Sequence, residues 1–242
     1  MEQSTSKLSL PTTQTNVPVV QVILSAFLTI VFPVLLVMFN VRLVMTPAFL
    51  TFEYTRPGFP EDIYGLTQEE RLKYAPYATA YLLNGEDITF LGDLRFPDDT
   101  PLFNTRELQH MRDVKTITQI AYWATALISL MALGSGIILK RSNRLTLALF
   151  RGSLLTLGII ATVIFLAILN WDFFFTGFHT LFFESGTWYF AYSDTLIRLF
   201  PEQFWFDAAL LIGGSTALVA MLILLTTWYS SRHTSRTVRQ SQ

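Results

Sequence analysis

The sequence contains no cysteine, only three histidines, and a charged fraction of 14%, which is well below the roughly 25% of an ordinary soluble domain. The absence of cysteine excludes thiol–disulfide exchange, thiolate nucleophiles, cysteine-ligated zinc and iron–sulfur clusters. Apolar residues instead make up 51% of the 242 residues. Because the charged share is about half that of a soluble domain while the apolar share is high, the composition predicts an integral membrane protein.

Four apolar stretches are long enough to cross a bilayer, which takes about 20 residues for about 30 Å of hydrocarbon. They cover residues 17–43, 117–139, 145–170 and 208–229. The first is too long for a signal peptide and contains Pro33, so we expect a permanent, kinked anchor helix. The sequence therefore predicts an all-α membrane protein with one membrane domain over residues 17–232, an N-terminal tail over 1–16 and a basic tail over 233–242.

Small residues recur in the later spans, where they predict close packing of helices in lipid. Six glycines belong to this set: Gly134, Gly136, Gly152, Gly158, Gly213 and Gly214. The second and third spans are separated by only about five residues, so we expect them to be antiparallel neighbours.

The distribution of charge predicts how the spans are oriented. Basic residues without any acid occupy the connection between the second and third spans and the C-terminal tail: Lys140, Arg141, Arg144, Arg151, Arg232, Arg236 and Arg239. Residues 47–115 contain twelve acids and seven bases, and residues 171–207 contain five acids and one base. Because basic loops stay in the cytoplasm, both termini should be cytoplasmic and both long loops should lie outside.

Both outer loops carry signals of short interfacial helices. Thr67 and Glu70 form a capping-box pattern, and Asn104 and Glu107 form another that predicts a helix running from about Thr105 into the second span. Residues 171–206 contain fifteen aromatic side chains, which favours a shallow or re-entrant element at the membrane interface, shielded by protein. The fold predicted is thus four transmembrane helices with two extracytoplasmic loops.

Two histidines are the strongest candidates for chemistry. His110 and His179 fall on the same side of the membrane at similar depth, and an imidazole can act as acid or base near pH 7. Glu107 and Asp113 lie one turn either side of His110 on its helix face, where a carboxylate could orient the ring. Asp172 precedes His179 by seven residues and could support it in the same way. A purely structural or interfacial role for each histidine is the alternative, and His233, in the basic tail, is expected only to be solvated.

Three further residues follow the first span. Arg42, Tyr54 and Arg56 could contact a lipid or stabilise a carbonyl oxygen, although arginines at a membrane surface often only extend towards the headgroups. Asp194 precedes an apolar run and is expected to cap a helix.

Two motifs in the outer loops resemble a known family. They are ELQHMRDVK at residues 107–115 and FHTLFF at 178–183, the latter followed by Trp188, Phe190 and DTLIRLFP at 194–201. Together they resemble the bacterial four-helix integral membrane family that includes the lipoprotein intramolecular transacylase, and the resemblance spans roughly residues 17–232.

The resemblance implies an enzyme of the bacterial cell membrane with its site at the outer face. The reaction would move the sn-2 acyl chain of a diacylglyceryl-modified N-terminal cysteine to the α-amino group of that cysteine, giving a lyso-form lipoprotein. The two family histidines correspond to His110 and His179. Because ester and amine belong to one substrate, proximity supplies much of the rate and no cofactor or metal is expected. The expected partners are the lipoprotein substrate and membrane lipids, with no nucleic acid and no partner protein deducible.

Three other interpretations remain open on the sequence alone. A related enzyme could use the same histidines on a different lipid ester. The histidines could instead ligate haem or a metal, although such ligands usually project into a bundle core rather than from its ends. A structural or channel-like protein with four spans is the third, and the scarcity of ionisable residues within the middle spans, where Arg151 is the clearest, argues against an ion path.

Overall fold

The computed structural model describes residues 18–184 and 186–240, with side chains as far as residue 232. This part of the chain is helical, without β-strands, so the predicted all-α class is confirmed. Its helices are α1 (Val19–Val44), α2 (Pro47–Thr55), α3 (Gln68–Leu83), α4 (Thr89–Gly92), α5 (Thr105–Leu139), α6 (Asn143–Leu169), α7 (Trp171–Phe182), α8 (Thr195–Leu199) and α9 (Glu202–Gln240). The predicted tail over residues 1–16 lies outside the described residues.

Four of these helices, α1, α5, α6 and α9, are long and apolar enough to cross a membrane, as the sequence predicts. The 35 residues of α5 give a helix of about 52 Å, whereas the hydrocarbon core is about 30 Å thick. The charged first three turns of α5 therefore extend beyond the predicted span over residues 117–139. Helix α9 begins six residues before the predicted fourth span and continues to Gln240, so most of the predicted basic tail is helical in its backbone.

Helix α1 lies at the centre of the bundle, where it packs on α5, α6 and α9. Helix α6 also packs extensively on α9, whereas α5 and α6, which are joined by a short turn, each contact α1 more than they contact each other. The buried Asn40 connects α1 to α9 by donating to Thr216 Oγ1 and accepting from Ser215 Oγ, at 3.1 and 2.7 Å. Hydrogen bonds of this kind help to hold helices together in lipid.

One glycine mediates the close approach of α6 to α1. A Cβ added at Gly152 would lie 2.9 Å from Cβ of Phe32, so only glycine fits there without a shift of the helices. Gly213 makes ordinary van der Waals contact with α6. For Gly134, Gly136, Gly158 and Gly214 the predicted close packing is wrong, because an added Cβ would meet no atom within 4 Å.

The long loops fold into a compact unit at one end of the bundle, which we call the head. It comprises α2, α3, α4, α8 and the first turns of α5 and α9, packed around one apolar core. The members of this core include Leu50, Tyr74, Leu91, Leu102 and Leu199. Both capping boxes are present, at Thr67 with Glu70 and at Asn104 with Glu107, so the predicted short helices are confirmed.

Helix α7 follows α6 and is not part of the head, and none of its residues is fully buried. It starts after Asn170, whose side chain accepts from the backbone N–H of Phe173, and it packs against α6. Large apolar side chains such as Phe173 and Leu181 are exposed along it. Twelve residues span only about 18 Å, which is too short to cross about 30 Å of hydrocarbon. The expected shielding by protein is only partial, since Phe174, Phe175 and His179 are half-buried and most of the other residues of α7 are exposed.

Candidate active site

His110 lies in the second turn of α5, one turn after Glu107, whose carboxylate caps the start of this helix. Glu107, with 1% of its surface exposed, accepts hydrogen bonds from the backbone N–H groups of Asn104 and Leu196, at 2.7 and 2.6 Å. Burial raises the pKa of Glu107, and these two hydrogen bonds oppose the rise. One carboxylate thus holds the N-terminal ends of both α5 and α8, and it does not orient His110 as the spacing predicts.

The ring of His110 is enclosed by aromatic side chains, with 7% of the residue exposed. Its centroid lies 5.1 Å from that of Phe183 and 5.2 Å from that of Phe190. Nδ1 of this ring is buried and has no hydrogen-bond partner among the described residues. Burial, with a smaller contribution from the nearby His179, lowers the pKa of His110 to about 4, so the ring is neutral at pH 7.

His179 is brought to His110 by α7, and the two ring centroids are 6.5 Å apart with an interplanar angle of 22°. Nδ1 of His179 lies 2.8 Å from the backbone carbonyl oxygen of Phe175. A carbonyl oxygen only accepts, so Nδ1 carries the proton and the neutral ring presents the lone pair of Nε2. Burial lowers the pKa of His179, while the Phe175 carbonyl raises it by a smaller amount.

Aromatic rings form the walls around both imidazoles. His179 lies between Phe175 and Trp188, at centroid distances of 4.1 and 4.8 Å, and Phe183 contacts both histidines. Such walls exclude water and strengthen electrostatic interactions within the site. Trp188 belongs to the motif on which the family resemblance rests, but the sequence assigns it no role in the chemistry, because it is one of fifteen aromatic side chains in residues 171–206.

The other carboxylates predicted to support the histidines are not brought to them. Asp113 accepts a hydrogen bond from Gln109 Nε2 at 3.0 Å, one turn back on its own helix. Asp172 is exposed in the first turn of α7, two turns before His179. The orientation of His179 comes from a backbone carbonyl, which composition and spacing do not reveal. Among the described residues, no group of three or more His, Asp or Glu side chains is placed to hold a metal ion.

The candidates after the first span have structural partners in the head. Tyr54 is buried and donates to the carbonyl oxygen of Leu199 at 2.8 Å. Arg56 pairs with Glu53 and with Asp207, which ties α2 to α9. Both residues therefore help to hold helices together, and the contact of Tyr54 and Arg56 with a lipid or a carbonyl oxygen stays a prediction. Arg42 is exposed in the last turn of α1, and its contact with lipid stays a prediction.

Fold and site together define a multi-pass helical membrane protein in which two neutral imidazoles meet inside an aromatic enclosure at one end of the bundle. The family model for the lipoprotein intramolecular transacylase Lit matches residues 26–205, a range that contains both histidines. The chain belongs to this family, and it is a membrane-integral transacylase. The family resemblance of the two loop motifs is confirmed.

Known proteins agree with this assignment. An uncharacterized protein of Aquifex aeolicus (strain VF5) is 32% identical over 181 residues, which cover 74% of this chain and 81% of the relative. The in meso structure of the membrane-integral Lit of Bacillus cereus matches with a TM-score of 0.74 at 20% identity, covering 91% of this chain and 98% of that one. A variant of that protein with one histidine replaced by alanine matches with a TM-score of 0.70 at 20% identity, covering 90% and 96%. These likenesses show that the fold is shared.

Proposed function

We propose that the protein moves the sn-2 acyl chain of a diacylglyceryl-modified N-terminal cysteine to the α-amino group of the same cysteine, with His110 and His179 assisting the transfer. The observation that carries the proposal is the meeting of the two imidazoles, 6.5 Å apart, in an enclosure that keeps them neutral. The product would be a lyso-form lipoprotein.

His179 is the proposed base in this reaction. Its Nδ1 donates to the Phe175 carbonyl, so Nε2 is free to take a proton from the attacking amine. The new carbon–nitrogen bond gives a tetrahedral intermediate, the ester carbon–oxygen bond then breaks, and Nε2 returns the proton to the departing glyceryl oxygen. Proton, acyl group and electron pairs all remain within the substrate and this one imidazole.

His110 is proposed to position the leaving oxygen. As a neutral ring it carries one N–H, and its Nδ1 has no protein partner among the described residues. A hydrogen bond from this ring to the glyceryl oxygen would orient the ester against His179 and stabilise charge on that oxygen. Because amine and ester are parts of one molecule, holding them together is the larger part of the task.

The acyl chains are proposed to lie in the hydrocarbon beside α7. The exposed side of this helix carries Phe173, Phe178 and Leu181, and His179 lies on the same helix. A lipid substrate could therefore reach the imidazoles sideways from the bilayer while its chains remain in an apolar environment.

The head is proposed to face the outside of a bacterial cell membrane, with both termini in the cytoplasm. The acidic loops form the head at one end of the bundle, and the connection containing Lys140 and Arg141 lies at the other end of α5 and α6. Segments rich in lysine and arginine remain on the cytoplasmic side, so this distribution supports the proposed orientation.

The reaction is tested by mass spectrometry of the N-terminal peptide of a reporter lipoprotein, made in a host that supplies the diacylglyceryl form. With the protein present, we expect the total lipid mass to be unchanged and one acyl chain to be relocated to the N-terminal amine. Absence of relocation, with the protein verified in the membrane, would contradict the proposed reaction.

Replacement of either imidazole tests its role. We expect His110→Ala and His179→Ala each to accumulate as folded membrane protein and to lose at least about 100-fold in turnover, as general acid–base catalysis contributes roughly 10²–10⁴. His233→Ala, which changes the remaining histidine near the far end of α9, serves as the control and should retain activity. Turnover near wild type in either site variant would remove that histidine from the mechanism.

A further inference from the structure

The indole of Trp188 lies directly on the imidazole of His179. Their ring centroids are 4.8 Å apart, and the indole also stacks on Tyr189 at 4.0 Å. Trp188 is 7% exposed, yet its Nε1–H is a buried donor with no hydrogen-bond partner among the described residues. An indole N–H is a donor only, so an acceptor must come from outside this part of the chain.

Buried donors without partners are rare in folded proteins, and they gather where a ligand completes the hydrogen bonds. In the described part of this chain four buried side-chain atoms are unpartnered, on His110, Ser153, Trp171 and Trp188. Two of these residues, His110 and Trp188, belong to the ring cluster around His179. The indole N–H is necessarily a donor, and the neutral ring of His110 is one as well when its proton lies on Nδ1. Two such nitrogens beside the proposed base are suited to a ligand that presents two oxygens, and an ester has two.

The position of Trp188 is fixed relative to the helix that carries His110. The backbone N–H of Ala191 donates to Asp194 at 2.9 Å, and Asp194 pairs with Arg106 of α5 at 3.0 Å. The indole is also held between His179 and Tyr189. These contacts restrict the movement of the indole before any substrate arrives, and a donor that stabilises a charge developing during the reaction needs such a preset position.

We propose that the indole N–H of Trp188 donates a hydrogen bond to the carbonyl oxygen of the substrate ester as that oxygen becomes the oxyanion of the tetrahedral intermediate. The inference rests on the proposed acyl transfer. As the amine nitrogen bonds to the carbonyl carbon, the π electrons of C=O move to oxygen, where the N–H meets the negative charge. The indole keeps its proton, and when the intermediate collapses the charge leaves with the glyceryl oxygen, which receives its proton from His179.

The sharpest test removes the N–H and leaves the ring. Site-specific replacement of Trp188 by benzothienylalanine puts sulfur in place of N–H in a ring of almost the same shape, and Trp188→Phe is a simpler second variant. We expect kcat for acyl relocation to fall about 100-fold, the loss typical of one missing oxyanion donor, with KM within about twofold of wild type. The benzothienylalanine protein should unfold at the wild-type temperature, because the ring keeps its packing and no protein hydrogen bond is lost. Trp188→Phe leaves a cavity and should unfold at a lower temperature, so the comparison of kcat with stability is made on the benzothienylalanine protein.

Trp171 provides a matched control. Its Nε1–H is also buried and unpartnered, but its ring packs on Phe174, Phe175 and Phe206 and on neither imidazole among the described contacts. The same two replacements at Trp171 should leave kcat unchanged. Equal losses at both positions, or a loss at Trp188 that follows a lowered unfolding temperature, would show a packing role and overturn the inference.

The outcomes separate this inference from the reaction on which it rests. If the wild-type protein relocates no acyl chain, both fail together. If the wild type is active and the benzothienylalanine protein matches its kcat, only the oxyanion role of Trp188 is overturned. If kcat falls at Trp188 alone with KM and stability retained, the inference stands.

Discussion

The two imidazoles are held in different ways, and this difference is the basis for the different tasks proposed for them. His179 is tied by its Nδ1 to a backbone carbonyl, whereas His110 is positioned by packing against Phe183 and Phe190. A tethered ring has a fixed tautomer and suits repeated proton transfer. A ring with a nitrogen that has no hydrogen-bond partner in the protein can form a hydrogen bond to the substrate.

Burial of both rings predicts how activity depends on pH. The pKa of His110 is lowered to about 4 and that of His179 is also lowered, so the neutral forms persist below the ordinary histidine value of about 6.5. The attacking α-amino group must be unprotonated, and because its own pKa is about 7.7–8.0 its reactive fraction falls below that pH. We expect kcat/KM, measured in lipid vesicles and divided by this unprotonated fraction, to hold from neutral pH down through 6.5 and to fall only as pH approaches the lowered pKa values of the histidines. An acid limb with its midpoint near 6.5 would contradict this.

The same shifts determine how these histidines affect stability. Below about pH 6.5 the unfolded chain binds protons at both positions that the folded chain does not, so their contribution to the free energy of unfolding is present above that pH and is lost as pH falls.

Phe183→Ala, which removes the ring that contacts both imidazoles, should admit water and move the acid limb of kcat/KM upward towards 6.5. An unchanged acid limb in this variant would show that Phe183 does not exclude water.

Glu107 offers a test of the head at the level of one carboxylate. In Glu107→Gln the side chain keeps its size, but one carboxylate oxygen becomes an NH₂ group, which cannot accept a hydrogen bond. One of the two backbone N–H groups that donate to Glu107 is then left without an acceptor. We expect the free energy of unfolding to fall by about 1–3 kcal/mol, the cost of a buried donor left unsatisfied. Thermal unfolding should show this loss, whereas Glu61→Gln, an exposed change in the same head, should leave the transition in place.

The sequence points to two candidate histidines, which the structure places near each other, but it does not show the partners that position them. Helical spacing places Glu107 and Asp113 on the face of His110, yet Glu107 reaches the backbone of Leu196, far along the chain, and Asp113 reaches Gln109. Spacing within one helix shows which side chains share a face and carries no information on groups that approach from another segment. The carbonyl that orients His179 is invisible for the same reason, since every residue has one.

Among the helices, α1 and α6 approach each other closely at Gly152, where there is no room for a Cβ. Gly152→Ala would place a Cβ 2.9 Å from Cβ of Phe32 and force the two helices apart. We expect a loss of about 1–3 kcal/mol in stability, as for other overpacked cores. Gly158→Ala, on the same helix with nothing within 4 Å, should be neutral or slightly stabilising because alanine favours helix over glycine by about 1 kcal/mol. Thermal unfolding in detergent compares the two, and equal effects would contradict the crossing described.

Helix positions were more predictable than helix contacts. Long apolar runs predicted α1, α5, α6 and α9, and the capping patterns at Thr67 and Asn104 predicted where α3 and α5 begin. The glycine pattern did not show which glycine meets a neighbour, because the rotation of a helix about its axis depends on the other helices. Asp194 lies at the N-terminal end of α8 as predicted, but its side chain pairs with Arg106 instead of capping the helix.

For the molecule as a whole, the absence of cysteine makes the proposed orientation simple to measure. A cysteine introduced at Glu61, exposed in the head, should react with a membrane-impermeant maleimide in intact cells. One introduced at Asn143, exposed beside the short connection, should react only after the membrane is permeabilised. The wild-type chain has no thiol to label and provides the background. The reverse pattern would place the head, and the histidines with it, in the cytoplasm.

Helix α7 carries one of the two proposed reactive rings, although none of its residues is fully buried by protein. In the proposed position at the outer membrane surface, hydrocarbon and headgroups supply the walls that protein leaves open, and the bilayer is a structural component of the proposed catalytic centre. On this basis the enzyme would respond to the physical state of its lipids: a change from fluid to gel phase would alter the setting of His179 while the four-helix bundle stayed folded.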